Sequence, residues 1–283
     1  MVTFGVLGPL QARTEAGLVD LAGPRQQSVL ARLLVARGHV VAADRIVSDL
    51  WRDEPPPRAQ AALQAYVSHL RRGLEPDRPP RAPARLLVTA PPGYALRTEV
   101  SAVDGWIFED LVRDAAQLST PDRALPLLDR ALALWRGPAF GAFADEPWAH
   151  GEAQRLEELR LDAIEKRAAA LLGLGRADAV IPELRAFLAD YPLREESWRL
   201  LATALYRTGR QGDALESLRT ARAVLADELG TDPGPTLRRL EIQLLNHALP
   251  DTSPTRPSRR HAKPRRKDRL WRCCPVIHSA RQP

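Results

Sequence analysis

Apolar positions change their period along this chain, and the changes divide it. Residues 2–12 and 17–22 are short apolar stretches with a glycine turn near Gly17, and they read as strands. Gly23-Pro24 then stops the sheet and opens a helix over about Gln26 to Arg37, with Val29, Leu30, Leu33, Leu34 and Val35 on its inner side and Gly38 as the stop. A second helix is predicted from about Ala43 to Trp51, buried through Ile46, Val47, Leu50 and Trp51. Pro55-Pro56-Pro57 breaks the chain before a third helix, about Arg58 to Leu74. Leu86 to Arg97 reads as strand-turn-strand with a Pro91-Pro92-Gly93 tip.

The third helix carries the most informative pattern. At about 100° per residue, Leu63, Val67, Leu70 and Leu74 form one narrow apolar stripe. The opposite side holds Ala61, Ala65, Ser68 and Arg72, flanked by Gln64, His69 and Arg71. Small residues allow close approach, and amides, imidazoles and guanidiniums are the donors that meet base edges and phosphates. Such a helix beside a hairpin is the working part of a winged-helix DNA reader. Taken alone, it reads equally as a surface helix with a basic solvent face.

From Val103 to about Leu249 strand signals fade and helical spacing takes over, with a repeat inside it. Gly175-Arg176 recurs as Gly209-Arg210, 34 residues on. In the second copy Trp198, Leu201, Ala202, Gly209, Ala214, Leu218 and Ala221 fall at tetratricopeptide spacing; Ile164, Ala168, Gly175, Leu184 and Pro192 fill matching slots in the first. Small alanines let paired helices approach, glycine turns between them, and stacked pairs leave a concave groove. Residues 250–283, rich in Pro, Ser, Arg and Lys, predict disorder.

Charge follows the same division. The net +6 of the 283-residue chain is +5 over residues 1–97, −7 over 98–249 and +8 over 250–283. A basic head suits a polyanion and an acidic body suits another protein. The basic run Arg259 to Lys267 would add phosphate contacts without sequence information, or serve no function. No stretch of 18 apolar residues spans a membrane, and the N-terminus reads as a strand, not a signal peptide. The two cysteines, Cys273 and Cys274, are adjacent, so a reducing cytoplasm with no disulfide framework is expected.

Catalytic constellations are not found. Phosphate-loop and dinucleotide glycine patterns are absent, and the six histidines are scattered. Asp145-Glu146 and Glu157-Glu158 read as solvated faces, and Trp106, Trp135, Trp148 and Trp198 as packing. No enzymatic activity, cofactor or metal is expected.

A resemblance ties these parts together. Phe4-Gly5-Val6-Leu7-Gly8-Pro9-Leu10, Pro24-Arg25-Gln26-Gln27, Leu63 to Arg72 and Pro91-Pro92-Gly93-Tyr94 mark the head. Ala133 to Pro138, Arg155 to Arg160, Glu183-Leu184, Pro192 to Glu195, Ala204 to Gln211 and Glu228 to Gly234 mark the body. In these motifs the chain resembles the antibiotic regulatory proteins of actinomycetes, the SARP family of transcriptional activators. The resemblance spans roughly residues 3 to 245. It implies an α+β winged-helix domain of the OmpR/PhoB type (residues 1–98), an all-α tetratricopeptide-like helical-repeat domain (103–249), the bacterial transcriptional activator domain, and the disordered C-terminal tail (250–283).

It also implies partners: double-stranded DNA carrying a direct-repeat operator, RNA polymerase with its sigma factor, and a second copy in a homodimer on DNA, with no membrane involved. Location would be cytoplasmic, with the nucleoid. The third helix would lie in the major groove, placing Gln64, Ala65, Ser68, His69, Arg71 and Arg72 against DNA. Gln64 suits an adenine edge, Ala65 a thymine methyl, and Arg71 or Arg72 a guanine or a phosphate. The hairpin departs from the family pattern because its tip, Ala90-Pro91-Pro92, has no cation; Arg85 and Arg97 only flank it. A hairpin that positions without reading is expected. Asp53 and Glu54, in the loop from Arg52 to Arg58, are polymerase-contact candidates, or part of a rigid connector. Neither a receiver nor an ATPase domain is expected. A tetratricopeptide-like interaction scaffold with a non-reading head is the competing reading.

Overall fold

The computed structural model describes residues 2–52, 54–79 and 81–249. Asp53, the tail 250–283 and Cys273-Cys274, for which expectations were given, lie outside the described residues.

The N-terminal stretch is not one strand. β1 (Thr3–Gly5), β2 (Gln11–Thr14) and β3 (Gly17–Leu18) form an antiparallel sheet in that order, with Phe4 opposite Ala12. Between β1 and β2 the chain leaves the sheet. Val6 and Leu7 carbonyls accept the backbone N–H groups of Phe140 (2.6 Å) and Arg136 (2.8 Å), more than a hundred residues away. Gly8 has φ +140°, and a Cβ there would sit 2.9 Å from that of Arg136, so the backbones meet only because this residue lacks a side chain.

α1 (Pro24–Val35), α2 (Ala43–Trp51) and α3 (Ala59–Leu74) follow, then the hairpin of β5 (Leu87–Ala90) and β6 (Gly93–Leu96). A two-residue strand, β4 (Val41–Ala42), pairs with β6, making a sheet of order β4-β6-β5. Nothing in the local alternation announces β4, because its signal is the distant partner. Gly93 makes the pairing possible: a Cβ there would lie 1.9 Å from the Val41 carbonyl oxygen. Pro24 starts α1 at a first-turn position where a missing N–H costs nothing.

The body is helical: α4 (Asp104–Gln117), α5 (Pro121–Leu132), α6 (His150–Gly173), α7 (Ala177–Asp190), α8 (Glu195–Arg207), α9 (Gln211–Leu229) and α10 (Pro235–Leu245). Turn glycines Gly175 and Gly209 both have positive φ, at equivalent points of the repeat. Ala168, Leu184, Trp198, Leu201, Ala202, Ala214, Leu218 and Ala221 are buried where the repeat spacing places them.

Two hydrophobic clusters result. One runs from Phe4 and Leu30 through Leu63 and Leu96 into Phe108, Leu128 and Leu156, so the head and the first body helices share a single core. The other, from Leu125 and Ala168 to Leu244, fills the solenoid.

Polar contacts brace the shared core at its edge. Asp104 accepts the Val6 N–H at 2.6 Å and the Arg136 guanidinium at 2.9 Å. Arg37, in a left-handed conformation (φ 49°) just past α1, donates to Glu109 and, at 2.6 Å, to Glu152. Arg155 closes this ring by pairing with the same two carboxylates. Burial alone would raise the Glu152 carboxyl, but hydrogen bonds from Arg155 and Arg37 prevail and hold it below the ordinary carboxylate value.

Candidate nucleic-acid interface

α3 is amphipathic in the way its sequence demands. Ala59, Leu63, Val67, Leu70 and Leu74 are buried against the head, while Gln64, Ala65, Ser68 and Arg72 are exposed. The pattern follows from helical spacing: residues three and four apart share a face, so one side is consumed by the core and the other stands clear. His69 is half-buried at the border. The structure thus brings Gln64, Ala65, Ser68 and Arg72 together as an open face of mixed small and hydrogen-bonding residues.

Arg71 takes a different course from its neighbour. Instead of standing on the open face, its side chain bends to the hairpin: Nε donates to the Leu87 carbonyl at 2.7 Å and Nη2 to the Thr89 hydroxyl at 2.7 Å. The guanidinium also lies 5.9 Å from the Tyr94 ring centre. Burial lowers its proton affinity, partly offset by Tyr94. The physical reason is reach. Arg71 sits on the flank of α3 facing β5, and a long side chain finds a carbonyl and a hydroxyl there before it finds solvent.

Arg85 and Arg97 are exposed at the base of the hairpin, not at its tip. The backbone N–H of Arg85 is held by Glu75 Oε1 at 2.8 Å, and the N–H of Arg97 donates to the Leu86 carbonyl at 2.7 Å. Pro91 and Pro92 are exposed at the tip.

Tyr66 packs: its ring stacks on Trp51 at 6.3 Å, and Arg25 covers the other ring at 5.5 Å. This column joins α1, α2 and α3 and brings Arg25 into the neighbourhood of α3. Sequence inspection missed it, because Arg25 and Trp51 carry no mutual periodicity. Arg58, the exposed residue before α3, is a further cation beside the face. In the loop after α2, Glu54 is exposed and its N–H caps the Trp51 carbonyl at 2.9 Å. Arg52 reaches back to Glu146 of the body at 3.1 Å.

The body carries a cleft of about 460 Å³ along α7, α8 and α9, with Leu188, Trp198, Leu201 and Leu205 among its lining and Arg185, Asp213 and Glu216 at its rim. The Trp198 indole N–H donates to the Pro192 carbonyl at 2.8 Å, a packing role. Among the described residues no three His, Cys, Asp or Glu are placed to hold a metal, and no helix is long and apolar enough to cross a membrane.

Two family models match this architecture: "Transcriptional regulatory protein, C terminal" over residues 19–96 and "Bacterial transcriptional activator domain" over residues 103–245. The regulator EmbR of Mycobacterium tuberculosis is 37% identical over 250 residues, covering 86% of this chain and 63% of its own. RedD of Streptomyces coelicolor is 37% identical over 246 residues, with 86% of this chain and 70% of its own length covered. AfsR of Streptomyces griseus is 38% identical over 245 residues, but this chain spans only 24% of it. The structure is similar to that of Mycobacterium tuberculosis EmbR in complex with a low-affinity phosphopeptide, with TM-score 0.81 and 38% identity over 89% of this chain and 66% of that one. This chain therefore spans less than two thirds of EmbR and about a quarter of AfsR. With both domains matched in order, and relatives this similar over most of its length, the chain belongs to the SARP family of transcriptional regulators.

Proposed function

We propose that this regulator is a sequence-specific DNA-binding activator of a secondary-metabolite (antibiotic) gene cluster. It reads direct repeats upstream of promoters and recruits RNA polymerase, acting in the cytoplasm as a homodimer on DNA. The observation that carries the reading is the open face of α3: its apolar side is buried in the head, yet Gln64, Ala65, Ser68 and Arg72 are left exposed. A helix buried on one side with donors on the other matches the depth and the edge chemistry of the major groove. Arg25 and Arg58 supply phosphate contacts beside it, and Glu54, with Asp53 next to it in sequence, offers the acidic contact for polymerase. The uncharged tip at Pro91-Pro92 positions the head without reading.

Fluorescence anisotropy tests this. The full chain is titrated across a salt series onto promoter DNA from neighbouring biosynthetic operons and onto scrambled DNA. Selective binding that persists at moderate salt is expected. Equal affinity for both, vanishing with salt, would leave only the interaction-scaffold reading, which the cleft along α7–α9 favours.

A further inference from the structure

The C-terminal end of α3 and Glu75, the residue just past it, hold the hairpin at two points, one helical turn apart. Glu75 Oε1 accepts the backbone N–H groups of Arg85 (2.8 Å) and Leu86 (3.2 Å), gripping the hairpin at its base. Arg71 grips it in the middle. Thr89 on β5 and Tyr94 on β6 are direct cross-strand partners, so their side chains share one face of the hairpin. Arg71 donates to the hydroxyl of one and covers the ring of the other, while its Nε bonds the Leu87 carbonyl on the same strand. Tyr94 in turn opposes Val41 of β4, so the grip extends to the whole three-stranded sheet.

This geometry spends part of the fork that a groove reader would aim at DNA. A guanidinium forks onto guanine or phosphate through a pair of adjacent N–H groups. The pair formed by Nε and Nη2 is engaged with the hairpin, which leaves only the Nη1 edge for any further partner. Arg72, one residue on, is exposed. Two adjacent arginines of one helix thus have divided tasks.

We propose that Arg71 is a positioning residue, a strut that sets the angle between the reading helix and the hairpin, and that Arg72 makes the DNA contact. The proposal rests on the DNA-reading function above and deepens it. It also explains how a hairpin with no cation at its tip serves binding. Held at a fixed angle, it lies along the duplex and orients α3, and the angle matters because the tip has no charge of its own to steer it.

The test uses the full chain and duplexes it selects from a random-sequence pool. Arg71→Ala should weaken every selected duplex by the same factor, about tenfold for two lost hydrogen bonds. Preference at each base position should stay as in the unchanged chain, and so should the slope of affinity against salt. Hydroxyl-radical footprints should lose the protection due to the hairpin and keep that due to α3. Thr89→Val should act uniformly as well, by about threefold. The double variant should be no weaker than Arg71→Ala, since both remove one contact.

Relaxed preference at one or two base positions would make Arg71 a reader and overturn the strut. So would a salt slope smaller by about one, the mark of a lost phosphate contact, or an unchanged affinity. Thermal unfolding accompanies each variant. Should Arg71→Ala fail to fold, Arg71→Lys and Thr89→Val decide by the same criteria: uniform loss supports the strut and undiminished binding removes it. Failure of the unchanged chain to select any sequence would sink the DNA-reading function itself, and the strut with it.

Discussion

α3 and α8 are both short amphipathic helices, and the protein uses them in opposite ways. α8 is buried almost throughout: Ser197, Trp198 and every residue from Leu200 to Leu205 are buried between its neighbours. Its polar groups are satisfied internally. The Ser197 hydroxyl donates to Glu165 at 2.6 Å, and Thr203 donates to the Arg199 carbonyl at 2.8 Å. α3 buries one stripe and leaves hydrogen-bonding groups unclaimed on the other. In a compact fold, polar groups are engaged wherever the core surrounds them. Under the proposed function, that open face of α3 is the surface that meets DNA. Arginine chemistry shows the same contrast, since Arg194 is locked among carboxylates and Arg72 is exposed.

The comparison can be broken at four places. The largest effect is expected at Arg194, which binds Glu165 through both oxygens (3.0 and 2.9 Å) and Asp162 at 2.6 Å. Glu165 is only 7% exposed, so Arg194→Ala strands a buried carboxylate and should cost about 3 kcal/mol or more in chemical denaturation. Adding Glu165→Gln should recover part of that loss; if it recovers none, the stranded charge is not the cause.

On the open face the losses should fall on binding, not on stability. Gln64→Ala and Arg72→Ala should each cost about 1–3 kcal/mol of specific DNA affinity, with stability changed by under about 0.5 kcal/mol. Loss of stability without loss of binding would reverse the roles of the two helices.

Glu152 gives a pH signature at the seam. Its carboxyl is held below the ordinary value, so the unfolded chain binds its proton more readily than the folded one. The stability it contributes is complete above the unfolded value, about 4.3, and is lost as pH falls through the lower folded one. The unfolding free energy from denaturation series between neutral and strongly acid pH should therefore fall more steeply with acid for the unchanged chain than for Glu152→Gln. Identical slopes would remove Glu152 from the account.

The smallest effect is expected at Arg219, whose partner Glu216 lies 3.0 Å away with both side chains about two-thirds exposed. Solvent screens such a pair, and Arg219→Ala should shift stability by less than about 0.5 kcal/mol. A loss comparable to that of Arg194→Ala would mean exposure does not decide what an ion pair contributes here.

Much of this was legible in the residues. The stripe of Leu63, Val67, Leu70 and Leu74 specified α3 and its buried side, and the spacing of Trp198, Ala202, Ala214 and Leu218 specified the repeat. Contacts made across long separations were not legible. Asp104 captures the backbone of Val6 from 98 residues away, and β4 exists only because β6 arrives beside it. The stretch 2–12 was therefore read as one strand, when its middle is drawn out of the sheet to join the body.

What the sequence alone determined, then, was each local element and its inner face, because helix and strand periods are properties of neighbouring residues. The family followed from the same local motifs. Only the tertiary structure decided that head and body share one core, that Arg37 and Arg155 close a ring with two carboxylates, and that Arg71 turns to the hairpin while Arg72 stands open. Those outcomes depend on which distant group comes within reach of a long side chain, and reach is settled only when the chain has folded.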